Sequence, residues 1–216
     1  MREDKKYLGD LSKRQKLNLL NAQLDNERST FLSHWNDCAT FVFPTRPRFT
    51  VSDVNKGDRR NQKIIDSSPT FAARTLRAGM MGGVTSPARP WFRLTTPDPD
   101  MAEIGSVKQW LYLVDKRMNT VFLRSNLYNM LPTTYGDMGT FGTAALHIDE
   151  DFESVIHTYC YPIGSYKIAC DSKGRVNTFS RDFQMTVRNV ISKFCRSENG
   201  DIDFSNVSDY IKTAWL

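Results

Sequence analysis

The sequence predicts an α+β fold, with N-terminal amphipathic helices followed by a small antiparallel β meander. Three observations carry that prediction. Apolar residues recur at helical spacing through most of residues 12–138, as they do on helices with one buried face. After "GTFGT", Gly139 to Thr143, the pattern changes to short β-branched and aromatic runs divided by Pro-Gly and Ser-Lys-Gly signals. Helical spacing then returns beyond Thr186. The expected division is a mainly helical part over 1–142, a β unit over 143–190 and a helical continuation over 191–216.

The first helix is expected to start at Ser12, which forms a capping-box pattern with Gln15, and to place Leu17, Leu20, Leu24, Phe31 and Trp35 on one face. It should end before "FPTRPRF", where Pro44 and Pro47 remove backbone donors and favour extended geometry in the residues before them. Residues 44–60 read as a loop. In "SSPTF", Ser67 to Phe71, Ser68 is the expected cap of a second helix and Pro69 lies in its first turn. Phe71, Thr75, Leu76, Gly79, Met80 and Gly83 make an apolar, partly small-sided face suited to close helix packing. A valine at Gly79 or Gly83 is therefore expected to impair folding or assembly.

"RPWFRL" reads as a short strand, and "TTPDPD" precedes a third helix with Val107, Trp110, Leu111, Val114, Met118, Val121 and Phe122 on one stripe. A fourth helix is expected from about Leu127 to Met138. The strands of the meander are "AALHIDED", "SVIHTYCYPI", "YKIACD" and "VNTFSRDFQMT". Helical pieces follow at "TVRNVISKF" and "SNVSDYIKTAWL". The last still presents Tyr210, Ile211, Ala214 and Trp215 as an apolar face when the sequence reaches Leu216, so the element is expected to continue in a longer chain.

Composition narrows the class. With 216 residues, 40% hydrophobic and 25% charged, the chain can bury a sizeable core. No apolar run approaches the roughly 20 residues of a membrane span, and the charged start "MREDKKYLGD" lacks the apolar stretch of a secretory signal. The expectation is an intracellular chain with reduced thiols, because Cys38, Cys160, Cys170 and Cys195 are too few and too scattered for a disulfide framework. The net charge of +5 comes from a basic excess within residues 1–100, which suits either a phosphate-bearing partner or ordinary solubility.

Few residues argue for chemistry. "GMMGGVTS" closes a helix and has no Lys, whereas a phosphate loop needs its glycines at a helix start. His147, His157, Cys160 and Cys170 follow no known metal-ligand spacing, and "DEDFE", Asp149 to Glu153, reads as a solvated turn. No nucleophile motif surrounds the three histidines. No catalytic residue, metal or cofactor is assigned. Arg46, Arg48, Arg59, Arg60 and Lys63, lying near Phe43 and Phe49, are candidate nonspecific DNA contacts, which keeps a DNA-binding module as the alternative function.

The run from "RRNQKIID", residues 59–66, through "SSPTFAARTLRAGMMGGVTSPARPWFRLTTPDPD", residues 67–100, resembles the signature of the head-to-tail connector, or portal, proteins of short-tailed bacteriophages. A second block, "YGDMGTFGTAALHIDED" to "YPIGSYKIACDSKGRVNTFSRDFQMT", is similar to the strand region of the same family. The positions carrying the likeness are Asn61, Asp66, Gly79, Gly83, Pro87, Pro90, Trp91, Phe92, Gly142, Gly164, Gly174 and Arg181. The resemblance implies a structural, non-enzymatic subunit of a homo-oligomeric ring of about twelve copies at one capsid vertex. It further implies contacts with a packaging terminase, a tail adaptor and scaffold or capsid proteins, and double-stranded DNA passing through the channel without sequence reading. The implied location is the virion, with the host cytoplasm during assembly, and no membrane is involved. The family's chain is longer, this region being similar to part of its wing, and Trp91 and Phe92 are expected to anchor that wing or a subunit contact.

Overall fold

The structure, a computed structural model, describes residues 12–44, 46, 63–195, 202–204 and 207–215. In chain order its elements are α1 Lys13–Phe41, α2 Ser68–Gly83, α3 Pro99–Glu103, α4 Gly105–Arg124, α5 Leu127–Phe141, β1 Ala145–Asp151, β2 Val155–Tyr161, β3 Tyr166–Cys170, β4 Val176–Arg181, α6 Val187–Phe194 and α7 Asp209–Trp215. The fold is α+β, as the residue pattern predicts. Two compact units divide after Ser180.

Helix α1 begins where its capping box places it. Ser12 Oγ accepts the Gln15 amide at 3.3 Å, and Gln15 Oε1 accepts the Ser12 amide at 2.8 Å. Its inward face differs from the expected one. Leu24 and Ala39 are buried and Trp35 packs on the core, but Leu17, Leu20 and Phe31 stay exposed. The reason is that the N-terminal half of α1 docks through polar groups. Lys167 of β3 is buried and donates to Asn21 Oδ1 at 2.9 Å and Asp25 Oδ2 at 2.7 Å. Arg28 donates to the carbonyl of Gly164 at 2.8 Å. The inner face therefore runs through Asn21, Leu24, Asp25 and Arg28, the i, i+3, i+4 and i+7 positions of one helical face.

Helix α2 starts at Ser68, but Ser68 is not its cap. The carboxylate of Asp66 accepts both the Ser68 amide, at 3.1 Å, and the Ser68 hydroxyl, at 3.0 Å. Those bonds hold the exposed Asp66 carboxyl below its ordinary pKa.

The close contact between α2 and α5 also reverses the sequence expectation. A Cβ at Gly79 or Gly83 would meet nothing within 4 Å, so neither glycine is required by packing within the described chain. The small residues that permit the approach lie on α5. A Cβ at Gly139 would fall 2.5 Å from Leu76 Cδ2, and one at Gly136 would fall 3.2 Å from the Phe43 ring and 3.3 Å from Arg77 Cδ.

Two small cores result. Ala39, Phe141, Ile163 and Tyr166 join α1, α5 and β3, with the Trp35 indole donating to the Phe141 carbonyl at 3.1 Å. Leu127, Leu131 and Tyr135 of α5 pack with Met80, Met81, Phe122 and Leu146. On α4 the expected stripe is partly covered, except that Trp110 is exposed.

The meander is two separate hairpins. β1 and β2 pair antiparallel from Ala145↔Tyr161 to Asp151↔Val155, and β3 pairs with β4. Pro162 has no amide to donate, and Gly164 turns the chain at φ +89, so no ladder joins β2 to β3. "RPWFRL" is likewise no strand. It has no regular secondary structure and no β partner, and the Leu94 amide donates instead to Asp115 Oδ1 of α4 at 3.0 Å.

In the second unit, Thr186 caps α6 by accepting the Asn189 amide, and Ile191 and Cys195 are buried. The Asp203 amide donates to the Cys195 carbonyl at 2.7 Å.

The two sets of glycines respond oppositely to substitution. Gly139→Val is expected to lower stability by about 1–3 kcal/mol through overpacking against Leu76. Gly79→Ala should raise it by roughly 0.5–1 kcal/mol through helix propensity. Urea unfolding of both variants checks the pair, and the opposite signs would refute the assignment of the close contact to α5.

Candidate functional site

Two constellations stand out in the first unit. One is internal. The carboxylate of Asp137, on α5, is 1% exposed. Arg46 reaches it with Nε at 3.0 Å from Oδ1 and Nη2 at 2.6 Å from Oδ2, a bidentate pairing. The same Nη2 donates to the carbonyl of Cys160 on β2 at 3.2 Å. Burial lowers the basicity of Arg46, but the bonds and charge of Asp137 more than restore it, leaving the guanidinium above its ordinary pKa. This clamp ties the segment after α1 to α5 and to the first hairpin.

A second polar link holds the same hairpin at the middle of β2. Asn126, between α4 and α5, accepts the Thr158 amide at 2.7 Å and donates to the Thr158 carbonyl at 2.8 Å, satisfying the strand as a neighbouring strand would.

The other constellation is an open cleft of about 1520 Å³ between the segment 87–95 and helices α3 and α4. Its floor is aromatic. Trp91 stands edge-on to Phe92 at 4.9 Å, stacks near Phe122 at 6.1 Å, and donates its indole N–H to the Tyr128 hydroxyl at 3.0 Å. Phe92 is half-buried against Phe122, with ring centroids 5.6 Å apart. Pro87 and Pro90 line one wall, where their rings fix the backbone φ.

The residues singled out in the sequence fall into distinct situations. Gly142, Gly164 and Gly174 adopt φ of +77, +89 and +73, where any other residue is strained. They close α5, turn the chain after β2 and turn it between β3 and β4. Asp66 caps α2, while Gly79 and Gly83 face open space. The Arg181 guanidinium lies 5.0 Å from the Phe183 ring. Of the candidate DNA contacts, Arg46 is committed to Asp137 and so is not free to meet a phosphate, and Lys63 is exposed. Asn61, Arg48, Arg59 and Arg60 lie outside the described residues.

Sequence reading missed Asp137, Asn126, Gly136 and Gly139. Asp137 alone had a signal, since a lone acid between apolar helical positions needs a cation if the face is buried.

Among the described residues no group of three or more His, Cys, Asp or Glu side chains is placed to hold a metal ion. No described helix is long and apolar enough to cross a membrane. His147 and His157 lie against tyrosines on the first hairpin, with His147 stacked at 5.9 Å from Tyr161. Burial pushes the Cys160 thiol above its ordinary pKa, and the nearby charge of Asp137 adds to the rise.

Comparison with known proteins places the chain in a family. Residues 14–200 match the family described as bacteriophage head to tail connecting protein, and the chain belongs to that family. It is 50% identical over 194 residues to the portal protein of Salmonella phage epsilon15, covering 90% of this chain and 34% of that one. It is 44% identical over 172 residues to the probable portal protein of Bordetella phage BPP-1, covering 80% of this chain and 31% of that one. The chain thus spans about a third of the length of these relatives.

The thiols should separate kinetically. With a maleimide at neutral pH the exposed Cys170 is expected to react at least about tenfold faster than Cys160, whose thiolate is disfavoured by burial. Peptide mapping over time measures both, and equal rates would contradict the partial burial of Cys160.

Proposed function

We propose that this chain acts as a structural component of a phage portal, in a homo-oligomeric ring of about twelve copies at one capsid vertex. The observation that carries the proposal is the 50% identity to a portal protein over 90% of the chain. In this reading the ring is the head-to-tail connector. Terminase drives DNA through it during packaging, DNA leaves through it on ejection, and the tail adaptor and the scaffold or capsid proteins bind around it.

The chain itself is a wing portion whose work is geometric. The clamp at Asp137 and the glycine turns keep the hairpins and helices in one arrangement, so that repeated copies present the same surfaces. Catalysis has no part in this role. The duplex is enclosed rather than read, and the protein resides in the virion after assembly in the host cytoplasm.

Antibody raised to the chain should label a single vertex of intact virions in electron micrographs. Label spread over the capsid, or absent from virions, would overturn the proposal.

Charge provides a separate check. Replacing Arg59, Arg60 and Lys63 together by Gln should change the affinity of the chain for duplex DNA by less than about threefold and leave its salt slope unaltered. A large loss with a flattened slope would instead support a DNA-binding module.

A further inference from the structure

The cleft beside Trp91 is aromatic on its floor and basic in sign. Glu103 is engaged by Lys108 at 2.9 Å, and Arg89, Arg93 and Lys116 outnumber the Asp115 carboxylate, which accepts the Leu94 amide, so an entering group meets a net positive charge. Tyr112 and Leu123 line it and remain 64% and 59% exposed, which leaves an apolar surface uncovered in the single chain.

The turn between β1 and β2, in the same compact unit, has the opposite character. Phe152 is 99% exposed and is flanked by Asp149, Glu150, Asp151 and Glu153. Turn positions are ordinarily polar, and a phenylalanine with water on every side gains nothing for the fold of its own chain. The tip is held in shape. Asp151 Oδ2 accepts the Ser154 amide at 2.9 Å and lies 2.6 Å from the Ser154 hydroxyl. Those bonds hold its carboxyl below the usual range. Val155 is kept at φ +73, a conformation that a β-branched residue adopts only under constraint.

We propose that the cleft receives the β1–β2 tip of a second copy of this chain. Phe152 enters beside Trp91, Tyr112 and Leu123, while Asp149, Glu150 and Glu153 meet Arg89, Arg93 and Lys116. Charge complementarity selects this occupant, and the full exposure of Phe152 shows that its own cleft does not cover it. Tip and cleft are different patches, so the contact is head-to-tail and repeats from copy to copy, the arrangement that closes into a ring. In that respect it rests on the ring proposed above.

Photocrosslinking tests the contact directly. With p-benzoyl-phenylalanine in place of Phe152, irradiation of the chain should give dimers whose adducts map to residues 89–123 of the second copy. Adducts confined to other segments, or no dimer adducts, would overturn the proposal.

Charge reversal supplies a second arm, with both variants first shown to melt as the parent chain does. One carries Asp149, Glu150 and Glu153→Lys, the other Arg89, Arg93 and Lys116→Glu. Each alone should lower the crosslinked yield at least about tenfold, and an equimolar mixture should restore it, because the basic tip then meets the acidic cleft and the acidic tip the basic one. A mixture no better than either variant sinks the pairing. Vertex labelling of virions separates the two claims. Label at one vertex with adducts elsewhere leaves the portal reading standing and removes this contact. Adducts in the cleft without vertex label do the reverse.

Discussion

The first unit depends on one buried ion pair. A carboxylate as enclosed as that of Asp137 is tolerated only if a cation and further donors compensate its lost hydration. Arg46 provides that compensation from the segment after α1, using two nitrogens on the carboxylate and one of them also on the Cys160 carbonyl. Three parts of the chain far apart in sequence are thereby held together. Around this point the apolar clusters are small, and the described helices keep many large apolar residues at the surface. A specific polar clamp therefore carries more of the arrangement than it would in a protein with one large core.

The same logic recurs at the edges. Lys167 is buried between Asn21 and Asp25, and Asn126 satisfies both backbone groups of Thr158. Such contacts contribute modestly when made and cost more when half-broken, so they favour one geometry over its neighbours. That property suits a family described as joining phage head to tail.

Local rules made much of the fold legible. The capping box at Ser12 and Gln15 fixed the start of α1, and the change of period after Gly142 located the strands. The losses came where the answer depends on a partner distant in sequence. Small residues at Gly79 and Gly83 suggested a close helix contact, but either of two apposed helices can supply the small side, and here Gly136 and Gly139 do. Leu17, Leu20 and Phe31 formed a plausible inner face, yet the buried Lys167 draws the polar face of α1 inward. Ser68 lies inside α2 rather than ahead of it, and both its amide and its hydroxyl donate to Asp66, an acid two residues upstream. At the cleft, the aromatic pair was visible in sequence, whereas its partners Phe122 and Tyr128 come from α4 and α5 and carried no local signal.

A double-mutant cycle on Arg46 and Asp137 measures how far the buried pair holds the unit together. Unfolding free energies would be measured in urea for Arg46→Met, Asp137→Leu and the double variant. Arg46→Met is expected to cost about 3–5 kcal/mol, because it strands a buried carboxylate, and the double variant to recover a large part of that loss. Single substitutions costing under about 0.5 kcal/mol, or losses that simply add, would show that the pair does not hold the unit together.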